Sequence, residues 1–287
     1  IIVTSYAILE ILILRFGMAF LYNILWFYNF FPFTEVKLFY GVNRISSVTF
    51  EAPALATYLF TVAGWMFTYV ITERGLKRFI PALVTIVLAF FSDSRAGLVI
   101  IMVQVVLFGI LLIKKKEHHQ LLIKIIALSA IAIIGIGAIK GQEIAAYVQE
   151  KITSFDVQDK RHSISNRSRF GIQYASYQVF KEHPLVGVGY GMQAYEGRKK
   201  YPKWATVGNW EFRLKYLNEN DPRFPPGYNI YTRILAETGL VGMAIFLLFL
   251  VLILVTAFGL IRKNDERYLL AVVVCISMIG FYFNWLK

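Results

Sequence analysis

The sequence predicts an all-α, polytopic membrane protein, and three observations carry that prediction. The mean hydropathy is +0.56, and 57% of the residues are hydrophobic, above the apolar share of soluble domains. The apolar residues fall in runs of roughly twenty, the length of a helix crossing a bilayer. No stretch shows the strand-length alternation of an outer-membrane barrel. About seven crossings are expected in this portion of chain, with one large polar loop between them.

The first run covers 11–33, after an apolar start that either ends an earlier helix or belongs to the same long one. Others cover 54–71, 79–92, 96–113, 121–140, 240–261 and 268–286. The chain opens on Ile1-Ile2-Val3, already apolar and without methionine, so it is read as part of a longer protein with further helices before it. That start is no signal peptide, since it has no basic n-region and no small-residue cleavage site. The expected organisation is therefore helices over 1–140, a polar loop over 141–238 and C-terminal helices over 239–287. A connection of that length is more than a link between helices.

Lysines and arginines set the orientation. The short loops 72–78 (Arg74, Lys77, Arg78), 114–120 (Lys114, Lys115, Lys116) and 262–267 (Arg262, Lys263, Arg267) are all basic. The positive-inside rule places them in the cytoplasm. The long loop, the 34–53 segment and the tight 92–95 link then fall on the outer side. These topology signals supply nine of the 30 basic residues behind the net charge of +12. The charge thus argues for lipid headgroups or lipid-linked phosphates as partners rather than nucleic acid. The one cysteine, Cys275, lies within an apolar run; it excludes an intrachain disulfide and is read as packing.

Four outer segments carry candidate chemistry. Ser92-Asp93-Ser94-Arg95-Ala96-Gly97 links two crossings, and Arg95 is either an interfacial arginine paired with Asp93 or a fixed cation at a cavity mouth. In the second, Asn166-Arg167-Ser168-Arg169-Phe170, the next aromatics Tyr174 and Tyr177 keep i, i+4, i+7 spacing from Phe170. That spacing predicts an amphipathic helix lying against the membrane face or the bundle top, with Arg167 and Arg169 near its start. The third, 183–191, is rich in glycine, but its spacing and context do not make a dinucleotide fingerprint. It is read as a turn letting backbone pass close to another element, with His183 a helix-end residue. The fourth starts after Pro225-Pro226-Gly227: a helix beginning near Tyr228 puts Asn229, Arg233 and Glu237 on one face.

Together these segments resemble the O-antigen ligase and polymerase superfamily over roughly residues 40–261. Ser94-Arg95-Ala96-Gly97 is similar to its Ser-Arg motif. Arg169, ahead of His183-Pro184-Leu185-Val186-Gly187-Val188-Gly189, resembles the arginine before its HPLxGxG phrase. Asn229 to Gly242, with Leu235, Glu237, Gly239 and Gly242, resembles its HNxxLxxLxExGxxG motif, and Arg44, before Glu51-Ala52-Pro53, a further family arginine.

The resemblance implies a metal-independent glycosyltransferase, without cofactor, at the outer face of the bacterial inner membrane. Its substrate would be a glycan on undecaprenyl pyrophosphate, passed to a lipid or glycan acceptor, with other envelope polysaccharide assembly proteins as possible partners. Arg95, Arg169 and Glu237 are the expected catalytic groups. Arg44, Arg167, Tyr228, Asn229 and Arg233 are the expected substrate-binding groups, and Tyr190, Tyr195, Tyr201, Trp204 and Trp210 either stack on sugars or serve as interfacial-belt or packing residues. Tyr228 stands where the ligase motif has histidine. A phenol with pKa ~10 is a poor base at neutral pH, which favours a polymerase over a ligase; either Glu237, Glu51, Asp93 or His183 serves as base, or no strong base is required. A transporter on the same scaffold is the competing class; its polar intramembrane candidates would be Glu10, Arg15 and Gln104.

Overall fold

The computed structural model describes residues 1–32, 34–38, 44–113, 119–120, 123, 163–220, 223–263 and 266–286. Their regular structure is helical, and no strand occurs among them. The long helices are α1 (Ile2–Phe16), α2 (Ala52–Thr72), α3 (Ile80–Phe91), α4 (Arg95–Ile113), α5 (Ser163–Glu182), α6 (Ile230–Lys263) and α7 (Tyr268–Asn284). Three are long and apolar enough to cross a membrane: α2, α4 and α6; α7 is a shorter apolar helix. The expected crossing at 121–140 and the first part of the polar loop lie outside the described residues.

The expected run over 11–33 is not one helix. Gly17, at φ 68°, stops α1, and the Met18 N–H reaches back to Leu12 O at 3.2 Å, the closure of a left-handed glycine cap. Short helical turns follow, Ala19–Leu21, Tyr22–Trp26 and Phe27–Phe30. Hydropathy alone does not register this break, because both sides are apolar. At 79–92 the regular helix is only the 12 residues of α3, started by Pro81 in its first turn.

The chain divides into two compact units, one of residues 1–123 with 254–284 and one of 124–253 with 285–287. In the first, α2 packs on α3, α4 and α7. Gln104 of α4 donates from Nε2 to Phe60 O at 2.8 Å and to Ile276 O at 2.9 Å. This one buried amide stitches three helices, so its place is a packing bond, the use that polar groups have between membrane helices. Cys275 is buried beside Ala257 and Ala271, in apolar surroundings.

In the second unit, α5 is amphipathic as its spacing predicts. Ile172, Ala175, Ser176 and Val179 are buried, while Phe170, Tyr174 and Tyr177 are exposed. The buried face meets the short helices Gln193–Gly197 and Lys203–Thr206. Ile172, Ala205, Phe212 and Tyr216 form the core here, with Tyr201 and Tyr228 packed against it. Two buried bonds lock the assembly: Gln193 Nε2 to Ser176 Oγ at 2.6 Å and Asn209 Nδ2 to Ser168 Oγ at 2.9 Å.

Candidate functional site

In the first unit the site residues sit on two neighbouring turns. The 92–95 turn is held by its serines. Ser92 Oγ donates to Ala89 O at 2.7 Å, and Ser94 Oγ accepts the Gly97 N–H at 3.4 Å. Ser94 thereby serves the first turn of α4 as an N-cap, and Arg95 is the first residue of that helix, half-buried. Asp93 lies in the left-handed region at φ 52°, which aspartate tolerates better than most residues. The Ile45 N–H donates to Phe91 O at 3.2 Å, tying the 44–47 turn to the end of α3. Arg44 precedes Ile45, and its Nε is buried with no hydrogen-bond partner among the described residues. Glu51 is exposed at the start of α2.

In the second unit a broken helix organises the site. Within α6, Gly239 adopts φ 63°, ψ −161°, which is not helical. An unbroken helix would bond the Leu240 N–H to Ala236 O and the Val241 N–H to Glu237 O. The break frees these four groups, and the 184–189 segment takes all of them. Leu240 N–H donates to Pro184 O at 2.8 Å and Val241 N–H to Leu185 O at 3.2 Å. In return Val188 N–H donates to Ala236 O at 3.0 Å and Gly189 N–H to Glu237 O at 2.9 Å. A helix break in apolar surroundings persists only where its backbone groups are satisfied again.

Two glycines make this interlock possible. Gly187 and Gly239 both have positive φ, and a Cβ on either would run into backbone, that of Glu237 for Gly187 and that of Leu185 for Gly239. The turn expected over 183–191 thus does bring backbone against another element. His183 is exposed at the end of α5, and its carbonyl accepts the Gly187 N–H at 3.1 Å.

The break lies directly beyond Glu237. Its side chain is 4% exposed, and Arg233 Nε donates to its Oε1 at 3.0 Å. The shared face expected for Arg233 and Glu237 is therefore an ion pair. The Arg233 stem lies on Gly227, and its guanidinium carbon is 6.0 Å from the centre of the exposed Tyr190 ring. Asn229 is an N-cap: its Oδ1 accepts the Thr232 N–H at 3.1 Å, while Nδ2 donates to Leu286 O at 3.1 Å. Both ends of its amide are thus engaged within the protein.

Arg169 and Tyr228 meet. The Arg169 guanidinium carbon lies 5.5 Å from the Tyr228 ring centre, a cation–π contact that consumes no N–H donor in a hydrogen bond. Arg167 is placed differently, with its guanidinium donating to Trp204 O and Val207 O. Tyr228 itself is at φ 44°, the centre of a three-residue turn closed by Asn229 N–H to Gly227 O. A tyrosine in this region carries backbone strain and is held by its surroundings. Its hydroxyl is 3.3 Å from that of Tyr216. Burial, then the hydrogen bond to Tyr228, raises the Tyr216 phenol above its ordinary range. Burial likewise pushes Tyr201 up to about 12. Both phenols are therefore protonated at neutral pH.

Of the sugar-stacking candidates, Tyr190, Tyr195, Trp204 and Trp210 are exposed, whereas Tyr201 packs edge-on against Phe212 at 4.7 Å and belongs to the core. Among the described residues no group of three or more His, Cys, Asp or Glu is arranged to hold a metal. Sequence reasoning did not find the partnership of 184–189 with the Gly239 break, or the Tyr216 neighbour of Tyr228. Glycines in both motifs were the available signal for the first.

No curated protein matches the chain. A family model described as O-antigen ligase matches residues 80–247, a span holding the 92–95 turn, Arg169, the interlock and the Arg233–Glu237 pair. The chain belongs to the O-antigen ligase family of membrane glycosyltransferases.

Proposed function

We propose that the protein is a polysaccharide polymerase of this family, joining glycan repeat units carried on undecaprenyl pyrophosphate at the outer face of the bacterial inner membrane. The acceptor hydroxyl attacks the anomeric carbon of the donor sugar, and the bond from that carbon to the pyrophosphate oxygen breaks. The leaving pyrophosphate departs with the electron pair, and the proton of the hydroxyl passes to a base. Such a leaving group needs its charge neutralised more than it needs a metal, and preorganised guanidiniums act strongly in a site shielded from water. Arg95 and Arg169 are the proposed electrostatic groups, with Arg44 beside them in importance. Glu237, buried and oriented by Arg233, is the proposed base. Arg167 and Asn229 are weaker candidates for substrate contact, because their polar groups already have partners.

The observation that carries the polymerase reading is Tyr228. It occupies the helix-start position where the ligase motif has histidine, its ring lies under Arg169, and its hydroxyl faces Tyr216. This arrangement supports a cation rather than supplying a base. The test is what accumulates when the gene is lost. Single repeat units on the carrier lipid would bear out a polymerase; full-length polymer stranded on the carrier would show a ligase instead.

A further inference from the structure

The first helix carries one acidic residue, Glu10, which lies outside the family match and is completely buried. Its carboxylate is spent on a single turn of chain. Oε1 accepts the Ser46 N–H at 3.0 Å, and Oε2 accepts the Ser47 N–H at 2.7 Å, with a longer contact to Ser46 N at 3.2 Å. Ser46 Oγ adds a bond to Oε1 at 3.4 Å. Two successive N–H groups converge on one carboxylate because Ser47 takes φ 51°, the geometry of a backbone nest that receives anions. Ser47 Oγ in turn donates to Val3 O at 2.7 Å, a second tie to α1.

A buried carboxylate in an apolar helix is costly unless fully hydrogen-bonded, and an apolar residue there would pack without that cost. What the carboxylate secures is the turn bearing Arg44. That turn is bonded through Ile45 N–H to Phe91 O, at the doorstep of the 92–95 turn and Arg95. The Arg44 Nε is buried and meets no acceptor among the described residues, so its N–H donor is not used by the turn that carries it.

We propose that Glu10 is a positioning residue, which fixes the 44–47 turn so that Arg44 stands beside the Arg95 turn as a second cation for the donor pyrophosphate. The proposal rests on the functional reading above, in which these arginines hold the pyrophosphate. Glu10 acts through Arg44 and touches no substrate. Its effect is therefore visible only while Arg44 is present.

The test is a double-mutant cycle in the full-length protein, measured in membranes with a lipid-linked repeat-unit donor. Glu10→Gln keeps the shape but turns an amide N–H₂ toward a backbone donor. It is expected to lower the rate at limiting lipid-linked substrate about tenfold, with the loss in KM for that substrate and kcat changed little. Arg44→Ala is expected to lose more, and the double variant to be no worse than Arg44→Ala alone. If Glu10→Gln fails to accumulate in the membrane, Glu10→Asp, which keeps the charge and shortens the reach, is put through the same cycle. Independent, multiplying losses, or an unchanged Glu10 variant beside a crippled Arg44→Ala, overturn the proposal and leave the arginine reading standing. A fully active Arg44→Ala removes Arg44 from the mechanism and the proposal with it.

Discussion

The two units differ in the grip that holds the turns next to their charged groups. In the first, side chains grip backbone: Glu10 holds the 44–47 turn, and Ser92 and Ser94 hold the turn before Arg95. In the second, backbone grips backbone, and the 184–189 segment fills the gap in α6 at Gly239 with four main-chain bonds. A side-chain grip is lost through one polar substitution while the chain trace survives. A backbone grip is indifferent to polar substitution and is lost only through the residues that let the chains approach. The difference predicts which changes damage the fold and which damage only the chemistry.

The largest effect is expected at the glycines. Gly187→Ala or Gly239→Ala introduces a Cβ into opposing backbone at a positive φ, and the conformational part alone costs about 1–3 kcal/mol. Either change should remove most folded protein from the membrane, seen as lost membrane level and lowered thermal stability in detergent. Gly109→Ala and Gly259→Ala, in helices with open space around them, should have little effect. Equal tolerance at all four positions would break the comparison.

A smaller effect is expected at Tyr228, where a side chain does hold a cation in the second unit. Tyr228→Leu removes the ring under Arg169, a contact worth about 0.5–2 kcal/mol, and should cut the rate roughly twofold to thirtyfold. Tyr228→Phe keeps the ring and should stay close to wild type. A Phe variant as poor as the Leu variant would instead assign the chemistry to the hydroxyl.

Much of this was legible in the sequence, for identifiable reasons. The runs at 54–71, 96–113 and 268–286 match α2, α4 and α7 closely, because uninterrupted aliphatic stretches have few alternatives to helix. The i, i+4, i+7 aromatics of α5 do share one face of a helix, but that face is exposed and it is Ile172, Ala175 and Val179 that pack inward. The Arg233–Glu237 pair followed from helical spacing alone. The break at Gly17 was hidden by apolar residues on both sides. The break at Gly239 sat between residues that continue a helical pattern, and its partner lies some fifty positions earlier in the chain. Glu10 read as a polar intramembrane candidate for a transporter, since nothing local announces that its acceptors are needed by Ser46 and Ser47. Long-range backbone pairing leaves little trace in composition or period; the paired glycines were its only mark.

In the proposed mechanism fixed guanidiniums at Arg95 and Arg169 drive the transfer. The most direct measurement is polymer length and yield, resolved on a gel, in a deletion host carrying Arg95→Ala, Arg169→Ala or both, with membrane levels of each variant checked in parallel. Polymer is expected to be lost while the protein remains in the membrane. A normal ladder at normal yield from the double variant would contradict that mechanism.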